Sequence, residues 1–198
     1  MNIPNLVTLS RVPFLFAVVV LLFVPWPFAA TAAFAVFVIG SITDWLDGYL
    51  ARRYKLISNF GKLMDALTDK VFIVGVMIAM LVPAPGGKAL LPDWALFLVL
   101  LIFSREFLVT GLRLVAASQG LVLAAERTGK IKTVLQIVSV CFLLLGNALG
   151  TDFALPACAH AVWIIGMALF IIAAALTAFS GIGYLLKYWV TFTGQSGQ

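Results

Sequence analysis

The chain alternates long apolar runs with short clusters of charged residues, prolines and glycines. Six of these runs are each close to the roughly 20 residues that a helix needs to cross a lipid bilayer. The pattern therefore predicts six transmembrane helices, over residues 6–28, 29–51, 63–82, 94–115, 131–149 and 157–186. Pro25 and Pro27 separate the first two runs with no polar linker, so these two spans are expected to form a hairpin around a tight turn.

The composition narrows the class of protein. The 198 residues are 63% hydrophobic and only 11% charged, and their mean hydropathy is +1.12. A soluble domain is about half apolar and about a quarter charged, so this chain lacks the polar residues that would cover a water-facing surface. The same values exclude a disordered chain and a secreted disulfide scaffold. We therefore predict a single all-α integral membrane domain over residues 1–198.

The basic residues are distributed unevenly between the two sets of segments that connect the spans. Twelve of the 13 lysines and arginines lie on one side and only Lys88 lies on the other. By the positive-inside rule, this distribution places both termini in the cytoplasm. It also explains the net charge of +5 without a nucleic-acid partner.

Four of the eight acidic residues lie within residues 41–70, at the cytoplasmic ends of the second and third spans. A helix turns about 100° per residue, so five residues of the second span share one arc of about 140°: Asp44, Asp47, Gly48, Ala51 and Arg52. The third span presents on one narrow stripe Gly61, Asp65 and Asp69. Two carboxylates on each of two neighbouring helices can converge, and charges at this depth are candidates for function.

Four converging carboxylates need cations, because otherwise some of them would be forced to protonate. Their oxygens are the ligands that Mg²⁺ or Mn²⁺ prefers, and four carboxylates can bridge two ions, as phosphoryl transfer requires. Gly48, Ala51 and Gly61 leave room for an extended ligand, and Arg52 is a bidentate partner for a phosphate. The alternative is a set of surface ion pairs with Arg52, Arg53, Lys62 and Lys70.

The spacing Asp44-x2-Asp47-Gly48-x2-Ala51-Arg52-x8-Gly61-x3-Asp65-x3-Asp69 resembles the signature of the CDP-alcohol phosphatidyltransferases at all eight fixed positions. The resemblance implies that the four aspartates bind two divalent ions, Mg²⁺ or Mn²⁺, which hold the pyrophosphate of CDP-diacylglycerol. Asp69 would also be the general base that accepts the proton of the incoming hydroxyl. By resemblance, the residues at the CDP-diacylglycerol site would be Asn5, Thr8, Arg11, Gly48, Ala51, Arg52 and Gly61. Helix capping and head-group contact are alternative roles for the first three.

Three further segments, residues 1–11, 105–113 and 129–136, resemble the family members that use glycerol 3-phosphate as the acceptor. This similarity ends near residue 136. It implies transfer of the phosphatidyl group to glycerol 3-phosphate, with phosphatidylglycerol phosphate and CMP as products. Arg105, Glu106 and Arg113 share one face of the fourth span, where a bound phosphate would satisfy the arginines. The cations expected to bind the acceptor are Arg105, Arg113, Lys130 and Lys132.

Other interpretations remain open for these cations and for the activity. Arg105 could pair with Glu106 or an aspartate to orient helices, and Lys130 and Lys132 could be ordinary positive-inside residues that touch anionic lipids. A sister transferase acting on serine, inositol phosphate or phosphatidylglycerol is the closest rival. A divalent cation transporter is a weaker one, because transport sites usually lie near the bilayer midplane between repeated halves.

The remaining features are less specific. The last third of the chain is expected to pack against lipid or within the core. Cys141 and Cys158 are expected to be buried, unreactive thiols. Close helix contacts or a dimer face would account for Gly146, Gly150, Gly166, Gly181 and Gly183. Family resemblance implies a homodimer in the bacterial inner (cytoplasmic) membrane, among membrane lipids, with the active site facing the cytoplasm.

Overall fold

The computed structural model describes the backbone of residues 3–54, 59–85, 87–118 and 127–193. It describes the side chains of residues 11–43, 67–68, 70–85, 87–116, 131–184 and 186. Within these ranges the chain forms six α-helices: α1 (Ile3–Phe23), α2 (Ala29–Tyr54), α3 (Asn59–Ala79), α4 (Ala95–Ser118), α5 (Arg127–Thr151) and α6 (Pro156–Thr193). The prediction of an all-helical fold is confirmed.

The turn between α1 and α2 is tight, as the two prolines predict. α1 ends at Phe23, before Pro25, because a proline lacks the N–H that would continue the helix. Phe28 adopts a left-handed backbone conformation, with φ 59°, and α2 begins at the next residue. The two helices then pack side by side as a hairpin.

Two glycines bring α1, α2 and α3 close together. A Cβ atom at Gly40 of α2 would lie 3.0 Å from Phe72 Cζ of α3 and 3.4 Å from Phe14 Cγ of α1. A Cβ atom at Gly75 of α3 would lie 2.9 Å from both Cδ atoms of Leu15. Small residues are the usual way for membrane helices to approach closely, so these glycines fix how the three helices pack.

α6 packs along α5 and also against α4. Leu143, Phe170 and Ala174 are fully or almost fully buried where these helices meet the common core. Glycines again mark close approaches, because a Cβ atom at Gly146 would lie 3.2 Å from the Ala159 carbonyl oxygen. Four of the five glycines expected at close contacts or a dimer face therefore contact other helices of the same chain, namely Gly146, Gly150, Gly166 and Gly181, whereas Gly183 has open space beside it.

At one end of the bundle, hydrogen bonds connect the ends of different helices and the segments between them. Thr31 donates two hydrogen bonds to Asp152 Oδ2, from its backbone N–H and its hydroxyl, both at 2.7 Å. Trp163 Nε1 donates to the carbonyl oxygen of Leu90 at 2.9 Å. Trp26, in the turn between α1 and α2, and Trp94, just before α4, lie at the same end and are 70% and 50% exposed. This is the end that the charge distribution assigns to the outer membrane–water interface.

The protein is a helical membrane protein. Three segments are long and apolar enough to cross a bilayer, Ala95–Ala116, Ile131–Thr151 and Pro156–Tyr184, and the described parts of α1, α2 and α3 carry shorter apolar stretches. Six spans and the placement of the termini stay predictions. The expectation of two buried thiols is wrong for Cys158, which is exposed near the start of α6, while Cys141 is partly buried.

Candidate active site

The four aspartates of the sequence motif lie on two helices that touch each other. Asp44 and Asp47 belong to α2, and Asp65 and Asp69 belong to α3, although their side chains lie outside the described residues. The nearest described contact is between Phe37 and Phe72, whose rings stack with centroids 5.3 Å apart. Gly40, beside the same ring, precedes Asp44 by four residues, and Phe72 follows Asp69 by three. The two acidic segments therefore begin about one helical turn from a close contact.

Arg11 lies near this contact on α1. Its side chain is 3% exposed, and Phe14, three residues further along α1, packs beside Gly40. An arginine buried in an apolar bundle is costly unless anions neutralise it. This burial is the expected environment for an arginine that faces a phosphate or carboxylate. The other predicted residues of the CDP-diacylglycerol site have side chains outside the described set: Asn5, Thr8, Gly48, Ala51, Arg52 and Gly61.

A second charged group lies between α3, α4 and α5, and Glu106 is at its centre. Lys132 donates a hydrogen bond to Glu106 Oε1, and Arg105 Nη1 lies 3.3 Å from the same oxygen. Lys70 Nζ lies 3.9 Å from Glu106 Oε2. We call these four residues, Lys70, Arg105, Glu106 and Lys132, the Glu106 cluster. Its cations come from three helices, so one carboxylate connects α3, α4 and α5.

Glu106 and Lys132 of the Glu106 cluster are buried, while Lys70 and Arg105 are partly buried. Glu106 is 7% exposed and Lys132 is 2% exposed. Removing one partner from such a group would leave an uncompensated charge in a medium of low dielectric constant. The sequence left open whether Arg105 pairs with Glu106, and the structure contains this pair. Because Lys132 contacts the same carboxylate, Glu106 brings Arg105 and Lys132 together. Lys130, the fourth predicted acceptor residue, has a side chain outside the described residues.

α6 contributes polar contacts to both arginines of α4. Arg105 Nη2 donates a hydrogen bond to Ser180 Oγ at 2.9 Å. The guanidinium carbon of Arg113 lies 5.2 Å from the centre of the Tyr184 ring, within the range of a cation–π contact. The expectation that the last third of the chain only packs is therefore wrong for these residues. A serine and a tyrosine in an apolar helix were the signal in the sequence, and nothing there indicated which helix they face.

Comparison with known proteins identifies the family of this chain. The sequence model of the CDP-alcohol phosphatidyltransferase family matches residues 1–179. The CDP-diacylglycerol–glycerol-3-phosphate 3-phosphatidyltransferase of Bacillus subtilis is 37% identical, and the match covers 95% of each chain. The protein of the same name from Rickettsia typhi is 34% identical, over 92% of this chain and 94% of its own.

A relative with another name is also similar. The cardiolipin synthase (CMP-forming) of rice is 32% identical over 96% of this chain, which spans 58% of the rice protein. All of these relatives are enzymes by name, and this decides against a cation transporter. The chain belongs to the CDP-alcohol phosphatidyltransferase family, and it is an enzyme of phospholipid synthesis.

Proposed function

We propose that this enzyme transfers the phosphatidyl group from CDP-diacylglycerol to glycerol 3-phosphate, giving phosphatidylglycerol phosphate and CMP. The relatives from Bacillus subtilis and Rickettsia typhi carry this activity in their names and match nearly the whole chain. The eight-position aspartate motif supports the same donor.

The observation that carries the choice of acceptor is the convergence of cations in the Glu106 cluster. Arg105 and Lys132 come from different helices and meet at one carboxylate inside the bundle. An acceptor that carries a phosphate provides the anion that such cations bind, and arginine forms bidentate hydrogen bonds with it. Serine and phosphatidylglycerol offer no phosphate dianion for these side chains, so glycerol 3-phosphate fits them better.

The residues of the motif fit divalent metal ions. Four carboxylates from α2 and α3 form a hard oxygen donor set of the kind that binds Mg²⁺ or Mn²⁺. The contact of Gly40 with Phe72 supports convergence of the two helices beside these positions. We propose that Asp44, Asp47, Asp65 and Asp69 hold two such ions. When bound, the ions would neutralise charge on the pyrophosphate and on the leaving group.

In the proposed mechanism the protein positions two anionic substrates and removes one proton. Arg11 and Arg52 bind the nucleotide phosphates, while Arg105, Arg113, Lys130 and Lys132 hold the acceptor phosphate. Asp69 accepts the proton of the primary hydroxyl of glycerol 3-phosphate. The hydroxyl oxygen then forms a bond with the lipid-side phosphorus, and the bond from that phosphorus to the oxygen of CMP breaks. Positioning of this kind provides most of the catalysis in phosphoryl transfer.

We further propose that all six helices cross the bacterial inner membrane, with both termini and the active site in the cytoplasm. The 12 to 1 division of basic residues supports this orientation. CDP-diacylglycerol would then enter laterally from the cytoplasmic leaflet. A homodimer, which the resemblance implies, is part of the same proposal.

Release of CMP from CDP-diacylglycerol by the purified protein tests the activity. We expect release with glycerol 3-phosphate and Mg²⁺ or Mn²⁺, and loss of release when a chelator removes the metal. Serine, inositol phosphate and phosphatidylglycerol are tested in parallel. Release with phosphatidylglycerol alone would instead indicate a sister transferase that uses this lipid as the acceptor. Absence of release with every acceptor would contradict a transferase activity.

The Asp69→Asn variant tests the general base. The amide cannot accept the proton, so we expect turnover to fall by about a hundredfold or more. The matched control is Asp93→Asn, which alters an exposed carboxylate outside the motif and leaves turnover unchanged. The amount of inserted protein and its melting temperature in detergent show that the variant is folded. Normal turnover in Asp69→Asn would remove this residue from the base role.

A further inference from the structure

The side chain of Arg105 lies against α6 at Gly181, where that helix has no side chain. A Cβ atom at Gly181 would lie 2.7 Å from Arg105 Cγ, 3.5 Å from its Nε and 3.7 Å from its Cδ. Carbon atoms do not approach to 2.7 Å, so any larger residue at position 181 would force Arg105 into another conformation. Gly181 is thus required for the observed path of the arginine side chain.

Ser180, the residue before this glycine, fixes the end of the same arginine. Its hydroxyl donates to the Thr177 carbonyl oxygen at 3.1 Å. Because a hydroxyl has a single hydrogen, its lone pairs face Arg105 Nη2 at 2.9 Å. Thr177 repeats this arrangement one turn earlier, since it donates to the Ala173 carbonyl oxygen at 2.6 Å and accepts from Gln136 Nε2 at 3.1 Å. α6 therefore presents two ordered acceptors to donors on neighbouring helices.

Tyr184 provides the contact for the second arginine. Its side chain is 1% exposed, so the ring that faces Arg113 is held in place by packing. Arg105 and Arg113 are eight residues apart, or about 12 Å along α4, whereas Ser180 and Tyr184 are four residues apart, or about 6 Å along α6. The contacts on α6 therefore hold both guanidinium groups against the same helix.

We infer that Ser180, Gly181 and Tyr184 form a positioning surface, the α6 arginine face, which aligns Arg105 and Arg113 and thereby sets the affinity for the phosphate of the acceptor. This inference rests on the proposed function, in which both arginines bind glycerol 3-phosphate. The three residues act through the arginines and do not touch the substrate themselves. α6 then determines acceptor binding although it carries none of the sequence motif.

The decisive comparison is between Gly181→Ala and Gly183→Ala. The two changes are chemically identical and lie two residues apart on α6, but a Cβ atom at Gly183 would have nothing within 4 Å. For Gly181→Ala we expect the KM for glycerol 3-phosphate to rise by about tenfold or more, as for loss of a charge-assisted hydrogen bond. The KM for CDP-diacylglycerol should change less than twofold. Gly183→Ala should match the wild type for both substrates.

Ser180→Ala provides a second variant, because it removes one oxygen atom and adds no bulk. It should raise the KM for glycerol 3-phosphate in the same direction while the melting temperature stays close to that of the wild type. A merely structural role would instead lower stability or alter both KM values together, and either result would overturn the inference.

The outcomes also separate this inference from the proposed function. If the wild type releases no CMP with glycerol 3-phosphate, the proposed function is wrong, and the role of the α6 arginine face fails with it. If the wild type uses glycerol 3-phosphate and the KM of both Gly181→Ala and Ser180→Ala stays within twofold, only the inference about α6 is wrong.

Discussion

Glu106 shows how one side chain determines the geometry of several others. It lies within 4 Å of Lys70 and Arg105, bonds to Lys132, and is itself 7% exposed. A buried carboxylate in this position compensates for the cost of taking cations out of water. Without it, Lys70, Arg105 and Lys132 would repel one another.

Glu106→Gln tests this role, since the amide has nearly the same shape but no charge. We expect the variant to lose about 3 kcal/mol of stability or more, because Lys132 would stay buried beside a neutral group. Thermal unfolding in detergent measures the loss, and the exposed-site variant Asp93→Asn is the control. An unchanged melting temperature would mean that this carboxylate does not stabilise the buried lysine.

Some of these residues could be predicted from the sequence and others could not. The helical period places Arg105, Glu106 and Arg113 on one face of α4. It does not say that Lys132 reaches the same carboxylate, because that depends on how α5 packs beside α4 across a separate loop. Ser180 and Tyr184 were missed for the same reason: the rotation of α6 about its axis is set by Gly166, Gly181 and other contacts that periodicity does not encode.

Among whole helices, α5 and α6 show most clearly how a glycine allows close packing. A Cβ atom at Gly166 would lie 3.0 Å from the backbone nitrogen and from Cγ of Leu143. Backbone cannot rotate away as a side chain can, so a larger residue here must push the helices apart. Because α6 also carries the arginine contacts, its distance from α5 affects the site.

Gly166→Ala should therefore destabilise the protein by about 1–3 kcal/mol, the usual cost of overpacking. Gly111→Ala on α4 is the matched control, because a Cβ atom there has nothing within 4 Å. Alanine forms helices better than glycine, so the control should gain up to about 1 kcal/mol or stay unchanged. Melting temperatures of the two variants give the comparison, and equal values would contradict tight packing of α5 on α6.

Helix positions themselves were largely predictable, because apolar run length determines them. The fifth run, 131–149, lies inside α5, and the sixth, 157–186, lies inside α6. Differences occur at the ends, where charged residues continue a helix beyond its apolar part, as Arg127 does in α5. The first helix ends earlier than the predicted span, since α1 stops at Phe23, before the prolines, rather than at Phe28.

At the scale of the whole molecule, the outer surface of the bundle is apolar. Phe97, Phe179 and Leu186 are 74%, 76% and 71% exposed. Such side chains suit contact with lipid, as expected of a helical membrane protein. Gly146, Gly150, Gly166 and Gly181 are already occupied by contacts within the chain. A homodimer would therefore have to use other surfaces.

Cys158 is a thiol of the natural sequence with which the proposed orientation can be tested. It is exposed near the start of α6, at the end of the bundle where Trp163 contacts Leu90. A membrane-impermeant maleimide should therefore label it when added to the outside of sealed, right-side-out vesicles. Cys158→Ser should abolish this labelling, and Cys158→Ser with Lys88→Cys, another exposed position expected outside, should restore it. Labelling of both positions only after the vesicles are opened would reverse the orientation.

The bond between Thr31 and Asp152 has a consequence for substitutions far from the chemistry. The Thr31 N–H lies in the first turn of α2, where helix donors lack partners within the helix, and a carboxylate there also interacts favourably with the helix dipole. Asp44 lies 13 residues further along, or about 20 Å away. Loss of the bond would weaken the anchoring of the start of α2, and a shift of this helix along its axis would move Asp44 and Asp47, the first two proposed metal ligands, by a similar distance. Substitutions at Thr31 or Asp152 are thus expected to lower activity from the end of the bundle that lies opposite the aspartate motif.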